Sequence, residues 1–188
     1  LLLFAFTGSV LLPLKAVLTN MLSIGAALGV VVWVFQDGNL AGVFDTTGLG
    51  YLNLTVPVLV AAIAFGLSVD YEVFLLSRIR ERWLAGVPAD RAVAEGIQRT
   101  GRIITSAALL LVVVFAGFLV GGFVPIKGIG LGLVLAVALD ATVVRMLLVP
   151  ATMTILGRYN FWAPGPLSRL HKRIEVTEAP VEREPALV

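Results

Sequence analysis

VPVLVAAIAFGLSVDYEVFLLSRIR, residues 56–80, decides the fold. From Val56 to Val69 it carries no ionisable side chain. Asp70 and Glu72 interrupt the run, apolar character resumes through Leu76, and Arg78 and Arg80 close it. About 20 residues of helix cross the hydrocarbon core of a bilayer, and a soluble core needs no apolar run of that length. The same signature recurs along the chain. Residues 1–14 read as the end of one span, and residues 16–36, 56–79, 102–122 and 126–156 as four complete ones. The last is longer than a crossing requires and contains Asp140, Arg145 and Pro150. The expected fold is therefore an all-α integral membrane bundle over residues 1–157. Residues 158–188 form a polar, proline-rich cytoplasmic tail whose last dozen residues read as disordered.

Composition agrees. Of the 188 residues 59% are hydrophobic and 14% charged, where soluble domains carry about a quarter charged. The net charge of +2 does not indicate nucleic acid. The basic residues flank apolar spans, where they set topology rather than line a phosphate-binding face. The absence of cysteine excludes disulfides, cysteine–zinc sites and thiol catalysis. The chain opens at Leu1 inside an apolar run with no signal-peptide n-region before it, so the N-terminus reads as cut from a longer protein.

Lys and Arg placement gives an expected orientation. Arg78, Arg80, Arg82, Arg91, Arg99 and Arg102 share one connection, and Arg158, Arg169, Lys172 and Arg173 lie in the tail. Lys15 lies between the first two runs. Residues 36–55 carry Asp37 and Asp45 but no Lys or Arg, and the link at Pro125 has only Lys127. The alternation puts Lys15, the Arg-rich connection and the C-terminus in the cytoplasm. Within that connection, Pro88 suits a first helical turn, and Ala89, Val93 and Ile97 share a face. Residues 88–99 are read as a separate interfacial helix or an ordinary solvated connector.

Four ionisable residues fall within or near the spans: Asp70, Glu72, Asp140 and Arg145. A charge at the bilayer centre costs about 3 kcal/mol on insertion scales, so such residues face a bundle interior or a wet cavity and mark ion paths, proton relays or buried pairs. Ala62, Gly66 and Asp70 are spaced by four, as are Gly128, Gly132, Ala136 and Asp140, so each set shares a helix face. Small residues at that spacing let backbones approach, and each stripe ends in an acid. Glu72 lies about 200° round the helix from Asp70 and is expected to reach water or arginines and to carry little function. Low dielectric disfavours an ionised carboxylate, which suits Asp70 to loading and releasing protons. Tyr71 points about 100° away from Asp70, so the two read as half of a reciprocal pair with a helix elsewhere. Arg145 follows Asp140 by five residues, about 140° round an α-helix; a direct bond then requires the arginine to fold back, and a partner on another helix is the alternative.

The segments FGLSVDYEVFLLSRIRE (65–81), SVLLPLKA (9–16), VFQDG (34–38) and DATVVRMLLVPA (140–151) resemble the MMPL family, the mycobacterial-membrane-protein-large type transporters of the resistance–nodulation–division (RND) superfamily. The likeness runs from about Leu3 to Trp162. It implies the end of span 8 and spans 9–12 of a twelve-span protein, the C-terminal half of an RND-type bundle. It implies that Asp70 and Tyr71 are the span-10 half of a proton relay, facing an Asp-Tyr on span 4 of an N-terminal half that also carries two periplasmic domains. Asp140 and Arg145 become the span-12 charges. The implied activity is export of lipids or lipid-linked molecules from the inner membrane to the envelope, driven by protons as coupling ion and without a cofactor. A drug or small-molecule efflux pump of the same superfamily is a second expectation, and a non-transporting sensor or scaffold a third. Titratable groups at depth argue against the third. An enzyme is not expected, since the only histidine, His171, lies in the tail and no catalytic or metal-ligand spacing appears. Ser68 and Ser77 read as packing hydroxyls. Homo-oligomerisation is left open.

Overall fold

A computed structural model describes residues 9–40 and 42–156. The predicted tail and most of the run 1–14 lie outside these residues. Helix α1 (Leu11–Val31) continues through a π-helical turn, Val32–Gln36. Helix α2 is Thr55–Leu84. Helix α3, Ala89–Ala116, ends in a 3₁₀ turn, Gly117–Val120. Helix α4, Val124–Leu139, runs through a π-helical segment, Asp140–Leu148, into α5, Val149–Leu156. The described residues are an all-α bundle with four stretches long and apolar enough to cross a membrane: Leu11–Gln36, Thr55–Trp83, Arg91–Val120 and Val124–Thr152. Helices satisfy their backbone groups internally, as a bilayer demands. The molecule is a multi-pass membrane protein.

Two boundaries differ from the sequence reading. The expected break between residues 14 and 16 is absent. The helix starts at Leu11 and carries Pro13 and Lys15 in its first turns. Proline is compatible with a first turn, where its missing N–H has no intrahelical acceptor, and the Leu12 amide donates to the Ser9 hydroxyl at 3.4 Å. The separate interfacial helix at 88–99 is also absent, because α3 is continuous from Ala89 into the span. Gly96 does not break it. A Cβ there would lie 2.5 Å from the Ile79 side chain, so this glycine lets α2 and α3 approach. Arg82 and Glu95 bridge the same two helices at 3.1 Å.

The fourth span is the most buried of the four and, like α2, contacts the other three. Its small-residue stripe explains why. A Cβ on Gly128 would meet Val56 at 3.3 Å, and one on Gly132 would meet Val60 at 2.7 Å and Val31 at 3.3 Å, while Ala136 is buried. Gly132→Val is therefore expected to cost about 1–3 kcal/mol by overpacking. A lower midpoint of thermal unfolding in detergent, against no change for Gly25→Val, where the space is open, checks this. At the end of the bundle away from the Arg-rich connection Lys127 is buried, and its Nζ donates to the carbonyls of Phe44 at 2.6 Å and Asp45 at 3.4 Å. It clamps the Lys/Arg-free loop onto α4.

The apolar core divides in two. One cluster gathers Ala27, Val31, Phe35, Val60 and Leu133, and the other Leu12, Ala16, Leu76, Ile79 and Val144. Between them the inward faces of three spans turn polar, at Asn20, Ser68, Glu72, Asp140 and Arg145.

Candidate functional site

The polar layer is built from three inward stripes. On α1 the buried positions include Leu12, Ala16, Asn20, Ser23, Ala27 and Val31, so Asn20 falls at a helical repeat of apolar neighbours. On α2 they include Val56, Val60, Ala64, Ser68, Glu72 and Leu76, spaced by four. On the fourth span Asp140 and Arg145 complete the layer.

Arg145 binds Asp140 directly. Its Nε and Nη2 donate to Asp140 Oδ2 at 3.0 and 2.8 Å. The five-residue offset that misaligns them on an α-helix is in register here, because a π-helix closes its hydrogen bonds from i to i+5 and the π-helical segment starts at Asp140. Arg145 Nη2 also donates to the Ser68 carbonyl at 2.8 Å. Ser68 Oγ lies 2.9 Å from Asp140 Oδ1, and its hydroxyl also reaches Asn20 Oδ1. Tyr71 is half-buried, with its ring under the Arg145 guanidinium at 5.2 Å, within cation–π range. Each carboxylate oxygen of Asp140 is thus engaged, and the guanidinium is held through Nε, Nη2 and its contact with the Tyr71 ring. Two small cavities flank the pair. One, of about 20 Å³, lies between α2, α3 and the fourth span and is lined by Tyr71, Asp140 and Arg145. The other, of about 10 Å³, is lined by Asn20, Ser68, Glu72, Asp140 and Arg145.

Asp70 stands apart. It lies 15 residues from Thr55 and 14 from Leu84, at the middle of α2. It is exposed, as are Ala62 and Gly66 on the same face, and it makes no hydrogen bond or ion pair with another described residue. The small-residue stripe of α2 is therefore turned away from the described bundle, whereas that of α4 is packed inside it. Glu72, expected near water or arginines, is instead buried at 8% exposure. It belongs to the inward stripe and feels the charges of Arg145, Lys15 and Asp140. Asn20 was not singled out from sequence. A lone amide at a helical repeat of small and apolar residues was the available signal. Ser68, read as a packing hydroxyl, is the hinge of the cluster.

An all-α bundle with a π-helical Asp–Arg pair at depth, and an Asp-Tyr on the neighbouring span, agrees with the resemblance drawn from the sequence. The sequence model of the MMPL family matches residues 1–188. The chain belongs to the MMPL family. It is 60% identical over 190 residues to a membrane protein of Streptomyces coelicolor, covering 98% of this chain and 27% of that protein. It is 44% identical over 179 residues to the trehalose monomycolate exporter MmpL3 of Mycobacterium tuberculosis, covering 94% of this chain and 19% of the exporter. It is 47% identical over 162 residues to the heme uptake protein MmpL11 of the same species, covering 86% of this chain and 17% of that protein. This MMPL chain thus spans between 17% and 27% of the length of these relatives.

Proposed function

We propose that this MMPL chain is the C-terminal membrane portion of a proton-driven secondary transporter that exports lipids or lipid-linked molecules from the inner membrane to the envelope. In this reading Asp70 and Tyr71 are its half of the proton relay, and the protein is not an enzyme. The observation that carries the reading is Asp70: a carboxylate at mid-span, exposed on a face of small residues, without a described partner. Such a group faces a bundle interior or a wet cavity, so a further helix packs there. The relatives, several times longer than this chain, contain sequence to supply one. Neutral Asp70 tolerates close packing against that helix, while ionised Asp70 demands a hydroxyl, a cation or water. Loading a proton from one side and releasing it to the other therefore biases two arrangements of the bundle halves. Tyr71 carries that bias inward, through its ring contact with Arg145.

The likeness to a trehalose monomycolate exporter supports lipid as cargo, and the likeness to a heme uptake protein supports heme as the second candidate. In cells making the full-length protein, collapse of the proton gradient at constant ATP is expected to stop export. Export that continues under those conditions overturns proton coupling, and heme movement that stops instead of lipid export selects the second cargo.

The orientation has its own test. Single cysteines at Thr47 and Ala85, both exposed, are introduced into a full-length protein lacking other cysteines. An impermeant thiol reagent on intact cells is expected to label the first and spare the second. The reverse pattern contradicts a cytoplasmic Arg-rich connection and C-terminus.

A further inference from the structure

The hydrogen count at Ser68 is informative. Its hydroxyl has one proton, yet it lies in hydrogen-bond contact with two oxygens, Asn20 Oδ1 and Asp140 Oδ1. If Asp140 is ionised, one of those contacts lacks a hydrogen. Two arrangements satisfy all three groups. In the first, protonated Asp140 donates from Oδ1 to Ser68 Oγ, Ser68 donates to Asn20 Oδ1, and Asn20 Nδ2 is left over. In the second, the amide has turned by half a rotation. Asn20 Nδ2 then donates to Ser68 Oγ, Ser68 donates to ionised Asp140, and Asn20 Oδ1 is left over. With the amide oriented as it stands in the structure, Nδ2 is the surplus group. It is buried without a hydrogen-bond partner, on a residue only 2% exposed.

Asn20 lines the cavity of about 10 Å³ that Glu72 and Asp140 also line, room for roughly one water. Glu72 is buried and makes no hydrogen bond or ion pair with another described residue. A bare buried carboxylate is costly, so Glu72 is either protonated or served by a donor across that cavity. The charged groups acting on it are Arg145 and Asp140 from the π-helical segment and Lys15 from α1.

We propose that Glu72 and Asn20 form a second proton-handling site, in which the Asn20 amide turns over as Asp140 gains or loses its proton and so alternates between presenting a donor and an acceptor to Glu72. With the proton on Asp140, Asn20 offers N–H to ionised Glu72. With the proton on Glu72, Asn20 offers its carbonyl to the Glu72 O–H, directly or through the cavity water. One proton passes between the two carboxylates by way of the cavity both line, and the total charge of the layer is unchanged. Glu72 lies four residues beyond Ser68 towards the Arg-rich connection, so the site extends the path from mid-span to that end. This deepens the transport reading and rests on it.

The test uses the full-length protein in membranes and in cells. Infrared difference spectra across a pH titration record protonated carboxyl groups. Besides the signal of Asp70, identified by its loss in Asp70→Asn, wild type is expected to give two coupled transitions. Glu72→Gln is expected to remove one and move the other. Asn20→Ala is expected to keep both but uncouple their midpoints. At matched membrane abundance, export by Glu72→Gln is expected to fall about a hundredfold, the low end of what a positioned proton-transfer group contributes. Unchanged infrared transitions in Glu72→Gln, or wild-type export by it, overturn the proposal. Asp70→Asn in the same assay separates the two levels. Normal export by Asp70→Asn sinks the transport reading itself, whereas a dead Asp70→Asn beside a normal Glu72→Gln sinks only the second site.

Discussion

Asp140→Ala is expected to destabilise the bundle by about 3–5 kcal/mol, the usual cost of stranding one member of a buried pair. The guanidinium left behind, 6% exposed, loses both of its bonds to Oδ2 and keeps only the Ser68 contacts and the Tyr71 ring. Arg145→Leu strands the carboxylate in the same way, with only the Ser68 hydroxyl beside it. The double change removes both charges, so the cost of desolvating a lone ion disappears. Membrane abundance and the thermal midpoint in detergent should therefore be lower in either single variant than in the double. Equal values for the two singles and the double show that the charges are not coupled. The pairing also makes the π-helix testable: it is the register of the π-helical segment that aligns positions five apart.

Much of the fold was legible because the bilayer fixes both length and composition of a span. The apolar runs at 56–79 and 126–156 lie close to Thr55–Trp83 and Val124–Thr152. The packed stripe of Gly128, Gly132 and Ala136 was legible too, since only small residues admit Val56, Val60 and Val31 at those distances. Which face of a span points inward was not. Lipid tails are as apolar as a protein core, so the outward Val58 and Ile63 look like the inward Val60 and Ala64. The equivalent stripe on α2 accordingly reads the same as that on α4, yet Gly66 has nothing within reach of a Cβ and Asp70 is exposed. For the same reason Glu72 was expected to reach water or arginines and to carry little function, and Asn20 was passed over, although both line the inner seam. The direct Asp140–Arg145 bond was left as one of two options for a different reason. Helical-wheel geometry assumes 3.6 residues per turn, and the site departs from it at Asp140. The continuity of α3 was hidden because residues 88–99, rich in charge, read as a unit apart from the apolar span, whereas one helix runs from Ala89 to Ala116 and Gly96 packs it against Ile79.

The central claim is that Asp70 carries the coupling proton. Asp70→Asn preserves size and hydrogen bonding but cannot titrate, and it faces no described neighbour, so it leaves the buried layer intact. Tyr71→Phe removes one hydroxyl and no charge, and its ring remains available to Arg145; it should impair export no more than Asp70→Asn does. The most direct measurement compares cells whose only copy of the full-length protein is wild type or Asp70→Asn, at matched membrane abundance, by the lipids exposed on the outer surface. Abolished export is expected in the variant, with the lipid that wild type places outside retained within the cell, as in wild-type cells whose proton gradient has been collapsed. A variant that exposes the wild-type lipid profile, with the same dependence on the gradient, contradicts the assignment of Asp70 and returns the chain to the reading of a non-transporting scaffold.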